Sequence, residues 1–320
     1  FWTNIDFTSN DKSVKRMNVL SDLPYDNDSF DVIYTSHFLE HIPREDLSSF
    51  LKECLRLLKP GGMIRIVMPD LEFLIKEYFF QIENNDIEKL EFLSLLIFDQ
   101  CVRNKRGGLL KKYLYDLSLS NNDSLKKYVF ELVGDDSGFM SERLSESNFY
   151  KRNFLRIVHN PFLILDALTI IRNYAVSFLF SRSFRKQNIS FASLGEKHML
   201  LYDNFLISEI LKKENYKNIS KEEFNTTSWK DNIFKDLDEK NCAPRKGTHQ
   251  IFIEAYKWMN IYSNIKNFAR KTFVNYSPPI RLSNSGSKKV LISYIKSPFY
   301  FKNRPTTHSN VIETRKIFEC

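Results

Sequence analysis

Cysteine is scarce in this chain. The four residues Cys54, Cys101, Cys242 and Cys320 are far apart, with no C-x-x-C pair. That spacing suggests neither a disulfide framework nor a zinc site, no metal is implied, and a reducing cytoplasm fits. Glycine and proline are also few, 9 and 10 in 320 residues, which excludes collagen-like and low-complexity chains. Long apolar runs are missing too. The most apolar stretch, 162–180, carries Asp166, Arg172 and Asn173 in mid-span. Charges there argue against a transmembrane helix and for a helix buried in the fold or lying on a membrane surface. No signal peptide is visible, and the chain starts at Phe1 rather than Met; the expectation is a piece of a longer protein.

A basic stripe on the main body is absent as well. The formal charge is +8, but residues 261–320 hold 11 Lys/Arg against Glu313 and Glu319, or +9, which leaves −1 for residues 1–260. The excess describes a tail, so no nucleic-acid partner is expected. What the chain does have is apolar content, 42% against 27% charged, enough for a packed core. Its length suits two domains.

The N-terminal seventy residues read clearly. Residues 1–7 read as the end of a short strand, 8–29 is polar and turn-rich, and Phe30–Ser36 is a β-branched and aromatic run of strand length. Leu47, Phe50, Leu51, Cys54, Leu55 and Leu58 recur at three and four, giving one apolar helix face. Lys59-Pro60-Gly61-Gly62 stops that helix, and Met63–Met68 is the next strand, ended by Pro69-Asp70. Strand, helix, turn and strand in so short a span make a βαβ unit with a parallel sheet and a right-handed crossover. Ligands of such sheets bind beyond the carboxyl ends of the strands, here Asp6, Ser36-His37 and Pro69-Asp70. A carboxylate at the first of these can accept hydrogen bonds from both hydroxyls of a ribose.

Residues 72–195 are helical in pattern and far too long for a connection, so they read as an inserted helical subdomain. A helix is expected over 197–213, strands near 217–224 and 249–257, and a linker rich in Ser, Pro and Asn over 275–289. A new strand starts at Val290.

The ordered set Trp2-Thr3-Asn4-Ile5-Asp6, Leu23-Pro24-Tyr25 through Asp31, Ser36-His37-Phe38-Leu39-Glu40-His41 and Leu57-Leu58-Lys59-Pro60-Gly61-Gly62 resembles the class I S-adenosylmethionine-dependent methyltransferases. The resemblance is strong over 1–72 and resumes over 197–257, with Arg245 in the family's usual Arg position before the last strand. It implies an α/β, Rossmann-like sheet with S-adenosylmethionine as cofactor. Asp6 would hold the ribose, Asn18 and Val19 would lie beside adenine, Ser36 and His37 would line the methyl-donor and acceptor pocket, and His41, counted with the cofactor-binding residues, would sit on the first turn of the helix beyond it. His37 is the candidate base. His198 and Tyr202 could face the acceptor, although core positions suit them as well. Asp31 is expected to orient its strand. The family's first strand and its G-x-G loop should precede Trp2 and are missing, which puts cofactor binding in question.

Lys288–Tyr294 followed by Asn310–Lys316 is similar to the opening of a glycosyltransferase with two Rossmann-like halves. The expected organisation is therefore a methyltransferase domain over 1–260 with 72–195 inserted, a linker over 261–287, and the start of a glycosyltransferase-like domain over 288–320. The acceptor would be a small molecule or a glycan, with peripheral membrane contact through the insertion. The rival reading is a non-catalytic module, scaffold or accessory to a glycosyltransferase, whose insertion binds a partner. A blocked pocket between Asp6 and His37, or an exposed apolar patch on the insertion, would mark it.

Overall fold

The structure is a computed structural model. It describes residues 2–6, 13–105, 107–134, 197–258 and 290–294, with the isolated positions 168 and 171. Two compact units are present: 1–77, 198–235 and 249–296 form one, and 78–197, 236–248 and 297–320 form the other.

The first unit is a seven-stranded sheet. Its strands in chain order are β1 (Trp2–Asp6), β2 (Val14–Arg16), β3 (Phe30–Ser36), β4 (Leu58–Pro69), β5 (Lys217–Glu222), β8 (Gln250–Tyr256) and β9 (Val290–Tyr294), while β6 (Glu239–Lys240) and β7 (Ala243–Pro244) form a separate two-stranded sheet. In space they run β2-β1-β9-β3-β4-β8-β5. The pairs among β2, β1, β9, β3 and β4 are parallel, and β8 pairs antiparallel with both β4 and β5. The closing antiparallel pair expected from the resemblance is thus β8 and β5.

The middle of the sheet holds the main departure from the sequence reading. The first strand was expected to be missing and its neighbours unpaired. Instead β9 lies between β1 and β3 and pairs parallel with each. The segment read as the opening of a further domain therefore supplies a strand to this sheet; residues 295–320 lie outside the described residues, as does the linker over 261–287.

Period-two alternation divides the two faces. Ile64, Ile66 and Met68 of β4 join Ile251, Ile253 and Ala255 of β8 in a core that also takes Leu47, Phe50, Leu51, Cys54 and Leu57 of helix α1 (Leu47–Leu57). The helix Asn204–Lys213 adds Ile207, Ile210 and Leu211. It starts later than the expected 197, because Asp203 caps it by accepting from Leu206 N at 2.7 Å. The other face carries Arg65 and Glu254, directly opposite each other on β4 and β8. Both are fully buried and 2.6 Å apart. Arg65 also donates to the carbonyls of Glu223 and Thr226 and lies over the rings of Phe234 and Phe252. Glu254 accepts from Thr227 Oγ1 and from Ser228 N. A buried ion pair is tolerable when its lone pairs and protons are satisfied in this way.

The turn between α1 and the body of β4 is fixed from β3. Lys59 Nζ meets both Asp31 oxygens at 2.9 Å. Gly62 sits so close beneath that a Cβ would lie 2.9 Å from the carbonyls of Asp31 and Lys59. Asp31 orients its strand, at the end away from the ligand edge.

In its described part the second unit holds the helices Ile87–Ser94, Gly108–Leu119 and Asp123–Val133, a π-helical turn at Leu95–Asp99, and the two-stranded sheet of Glu239–Lys240 and Ala243–Pro244. Phe92, Leu93, Val129 and Leu132 are its most buried residues. Asp99 Oδ1 accepts from Leu109 N at 2.7 Å, and a Cβ on Gly108 (φ +60°) would fall 2.1 Å from Asp99 Oδ2, so glycine is required there. The apolar stretch 162–180 lies outside the described residues, apart from Leu168 and Ile171. Among the described residues no helix is long and apolar enough to cross a membrane.

Candidate active site

The carboxyl ends of β1, β9, β3 and β4 reach one edge of the sheet. Ile5 and Thr35 both pair with Ser293 of β9, so Asp6 and Ser36, one residue further on, emerge level with each other. Two strand spacings separate them, about 9.6 Å. Asp6 and Ser36 are each only 6% exposed. Asp6 after β1 and His37 after β3 thus lie at one edge of the sheet, with β9 between their strands.

His37 ends β3 with a backbone feature invisible in the sequence. Its φ is +50°. Most other non-glycine residues with positive φ in the described chain are Asn or Asp, which tolerate the left-handed region. His37 N donates to Val67 O at 2.8 Å, which holds the turn against β4. Strain of this kind concentrates where a side chain must be aimed. The imidazole is aimed at Glu40, with Nδ1 3.3 Å from Oε1.

Glu40 and His41 lie on the 3-10 turn Leu39–His41. Glu40 is 1% exposed, and His41 Nε2 lies 3.9 Å from Glu40 Oε1. The chain returns here from the insertion: Met199 N donates to Glu40 O at 2.6 Å. That contact sets His198 edge-to-face on His41, ring centroids 4.8 Å apart. His249, just before β8, stands 6.3 Å from the His37 ring, and its carbonyl accepts from Asp70 N. All four histidines of the described residues therefore gather at one end of the sheet. The sequence reading named His37, His41 and His198 but not His249, and it did not bring them together. No local spacing signals it, since residues 41, 198 and 249 meet only through the sheet order.

Tyr202 is fully buried beside this group and forms a bridge with Asp70. Burial raises its hydroxyl pKa; Arg44 opposes the shift and Glu40 adds to it. The phenol therefore stays protonated. Asp70 itself is spent on structure, accepting from Glu72 N and Phe73 N at the start of the helix Leu71–Glu83.

Asn18 and Val19, expected beside adenine, are placed differently from each other. Asn18 is exposed, and its side chain closes its own turn by accepting from Leu20 N and donating to Ser21 Oγ. Val19 packs in the core with Leu23 and Ile5. Arg245 belongs to the helical unit, where it donates to Asp236 O.

Residues 6–66 match the family model described as "Methyltransferase domain". No curated protein matches the chain. Among solved structures, the cyclase SpnF is 27% identical over 17% of this chain and 19% of its own, with a TM-score of 0.16. A SAM-dependent methyltransferase from Thermotoga maritima is 11% identical over 76% of this chain and 63% of its own, with a TM-score of 0.26. Another from Methanosarcina mazei is 13% identical over 77% and 68%, also at 0.26. The chain thus spans less than two thirds of the first two. Such likenesses carry no weight beside the family match, whose span runs from Asp6 into β4. Over residues 6–66 the chain is thus similar to the methyltransferase domain family.

Proposed function

We propose that the protein transfers a methyl group from S-adenosylmethionine to an oxygen or nitrogen acceptor. The observation that carries this is the shared edge: buried Asp6 on one side of the central strand, and Ser36 with the left-handed His37 on the other, level in register. The cofactor supplies a methyl on a positively charged sulfur, and the protein's task is chiefly to align an acceptor with it. Asp6 accepts hydrogen bonds from the ribose hydroxyls. Ser36 and His41 line the edge where methyl and acceptor meet, and the stretch at Asn18-Val19 lies on the adenine side. His37 takes the proton of a hydroxyl acceptor as the new bond forms. A sugar hydroxyl of a cell-surface glycan is the narrower form of the reading. It is supported by the sequence similarity of 288–316 to a glycosyltransferase opening, and by nothing in the geometry.

One observation favours the non-catalytic alternative. In sequence, Val290–Tyr294 is followed by Ile295-Lys296-Ser297-Pro298, which holds no glycine of the family's G-x-G type. Titration calorimetry of the full chain with S-adenosylmethionine separates the two. Saturable binding that weakens at least tenfold in Asp6→Ala is expected. A parent chain that does not bind, or an Asp6→Ala chain that binds equally well, overturns the enzymatic reading.

A further inference from the structure

Glu40, His41 and His198 each offer one ligand atom, and the three atoms lie within 4.8 Å of one another. We propose that these residues form a binding site for a single divalent transition-metal ion of the zinc class, a site that shares His41 with the proposed methyl-transfer edge but whose metal binding is read out without methyl transfer. Two imidazoles and one carboxylate are a mixed N/O donor set suited to zinc and its neighbours rather than to magnesium or calcium, which prefer all-oxygen shells. Tetrahedral bonds of the usual zinc length hold ligand atoms about 3.3 Å apart. The three groups therefore need to close by at most about 1.5 Å, within rotamer adjustment.

Three features of the surroundings suit an ion. The site is enclosed: Glu40 is 1% and His198 6% exposed, and the His41 side chain 10%. A carboxylate at that depth is stabilised by a cation, and the imidazoles of His37 and His41 stand near its Oε1. The ligands also come from two segments joined by backbone, through Met199 N to Glu40 O, so the pocket is built rather than assembled by loose side chains. His37 reaches the Glu40 carboxylate from outside the triad at 3.3 Å, the place of an outer-shell orienting group. Three protein ligands leave the fourth position of a tetrahedral ion for a water or a polar acceptor atom.

The test uses the full chain, stripped with chelator, refolded signals checked by circular dichroism, then titrated with Zn2+ and separately with Co2+. One Zn2+ per chain by elemental analysis, a melting temperature raised by Zn2+ and restored by EDTA, and the visible ligand-field bands of a low-symmetry Co2+ site are expected. His41→Gln and His198→Gln should each weaken Zn2+ binding at least tenfold, while His249→Gln, outside the triad, binds as the parent does. Absence of stoichiometric Zn2+ on the folded parent overturns the site without recourse to any variant. So does equal binding by His41→Gln and His198→Gln, or an equal preference for Mg2+.

Discussion

His37 puts a cost and a use at one residue. A non-glycine residue held at φ +50° stores about 1–2 kcal/mol of backbone strain. Two substitutions that both delete the imidazole isolate that term. His37→Gly relieves the strain and His37→Ala keeps it, so the glycine variant is expected to be the more stable of the two by about 1 kcal/mol. Urea midpoints with equal m-values measure this. An alanine variant as stable as the glycine one would mean that the turn relaxes. No residue pattern announces this conformation. The sequence shows only that a histidine follows a strand, whereas the left-handed turn is set by the bond from His37 N to Val67 O, on a strand thirty residues later. Asp6 differs. Its place at a strand tip follows from the run before it, and it could be read in advance.

At the scale of elements, two charge clusters hold the sheet to its surroundings. Arg56 of α1 clamps the turn-rich segment ahead of β3. It donates to the carbonyls of Leu23 and Tyr25 and to Asn27 Oδ1, while Glu53 accepts from Arg56 and from Leu23 N. These bonds, first those from Arg56, hold the Glu53 carboxyl below its usual value. A depressed carboxyl contributes stability above its unfolded pKa and loses it as pH falls through the folded one. Urea midpoints of the parent should therefore fall from about pH 6 to about pH 3 more steeply than those of Glu53→Gln, which lacks the titrating group. Parallel curves would remove Glu53 from the acid response. The buried Arg65–Glu254 pair tests a different balance. Arg65→Met alone leaves Glu254 buried without its cation and is expected to cost about 3–5 kcal/mol. The double change Arg65→Met with Glu254→Leu should cost clearly less, which a double-mutant cycle would show. The helix α1, strands β3, β4 and β8 and the turn at Gly61-Gly62 were legible because burial on one face stamps a period of 3.6 or 2 on the residues. Strand β2, three residues at an exposed edge, carries no such stamp, and its Val14-Lys15-Arg16 reads as loop.

For the molecule as a whole, the informative feature is the order in which the chain fills its sheet. Loss of a mid-sheet strand would leave β1 and β3 with unpaired edges, a state that proteins avoid. No local pattern points to the strand that fills this place, because pairing between residues about 290 positions apart leaves no local trace. In the structure Val290–Tyr294 takes the place, with Trp2–Ile5 on one side and Val32–Ser36 on the other. A strand hydrogen-bonded on both flanks tolerates no proline, which removes a donor and distorts the ladder. Ile292→Pro is thus expected to cost about 3 kcal/mol or more and to destroy cooperative melting of the sheet unit. Lys15→Pro, on edge strand β2, should cost less, since the edge has only one neighbour to lose. Hydrogen exchange on the parent gives the matching signature, slow amides in β1 and β3 that become fast in Ile292→Pro. If Ile292→Pro melts like the parent and the amides of β1 and β3 stay slow, the central position does not depend on this strand, and the level register of Asp6 and Ser36 across it would have to be maintained by some other means.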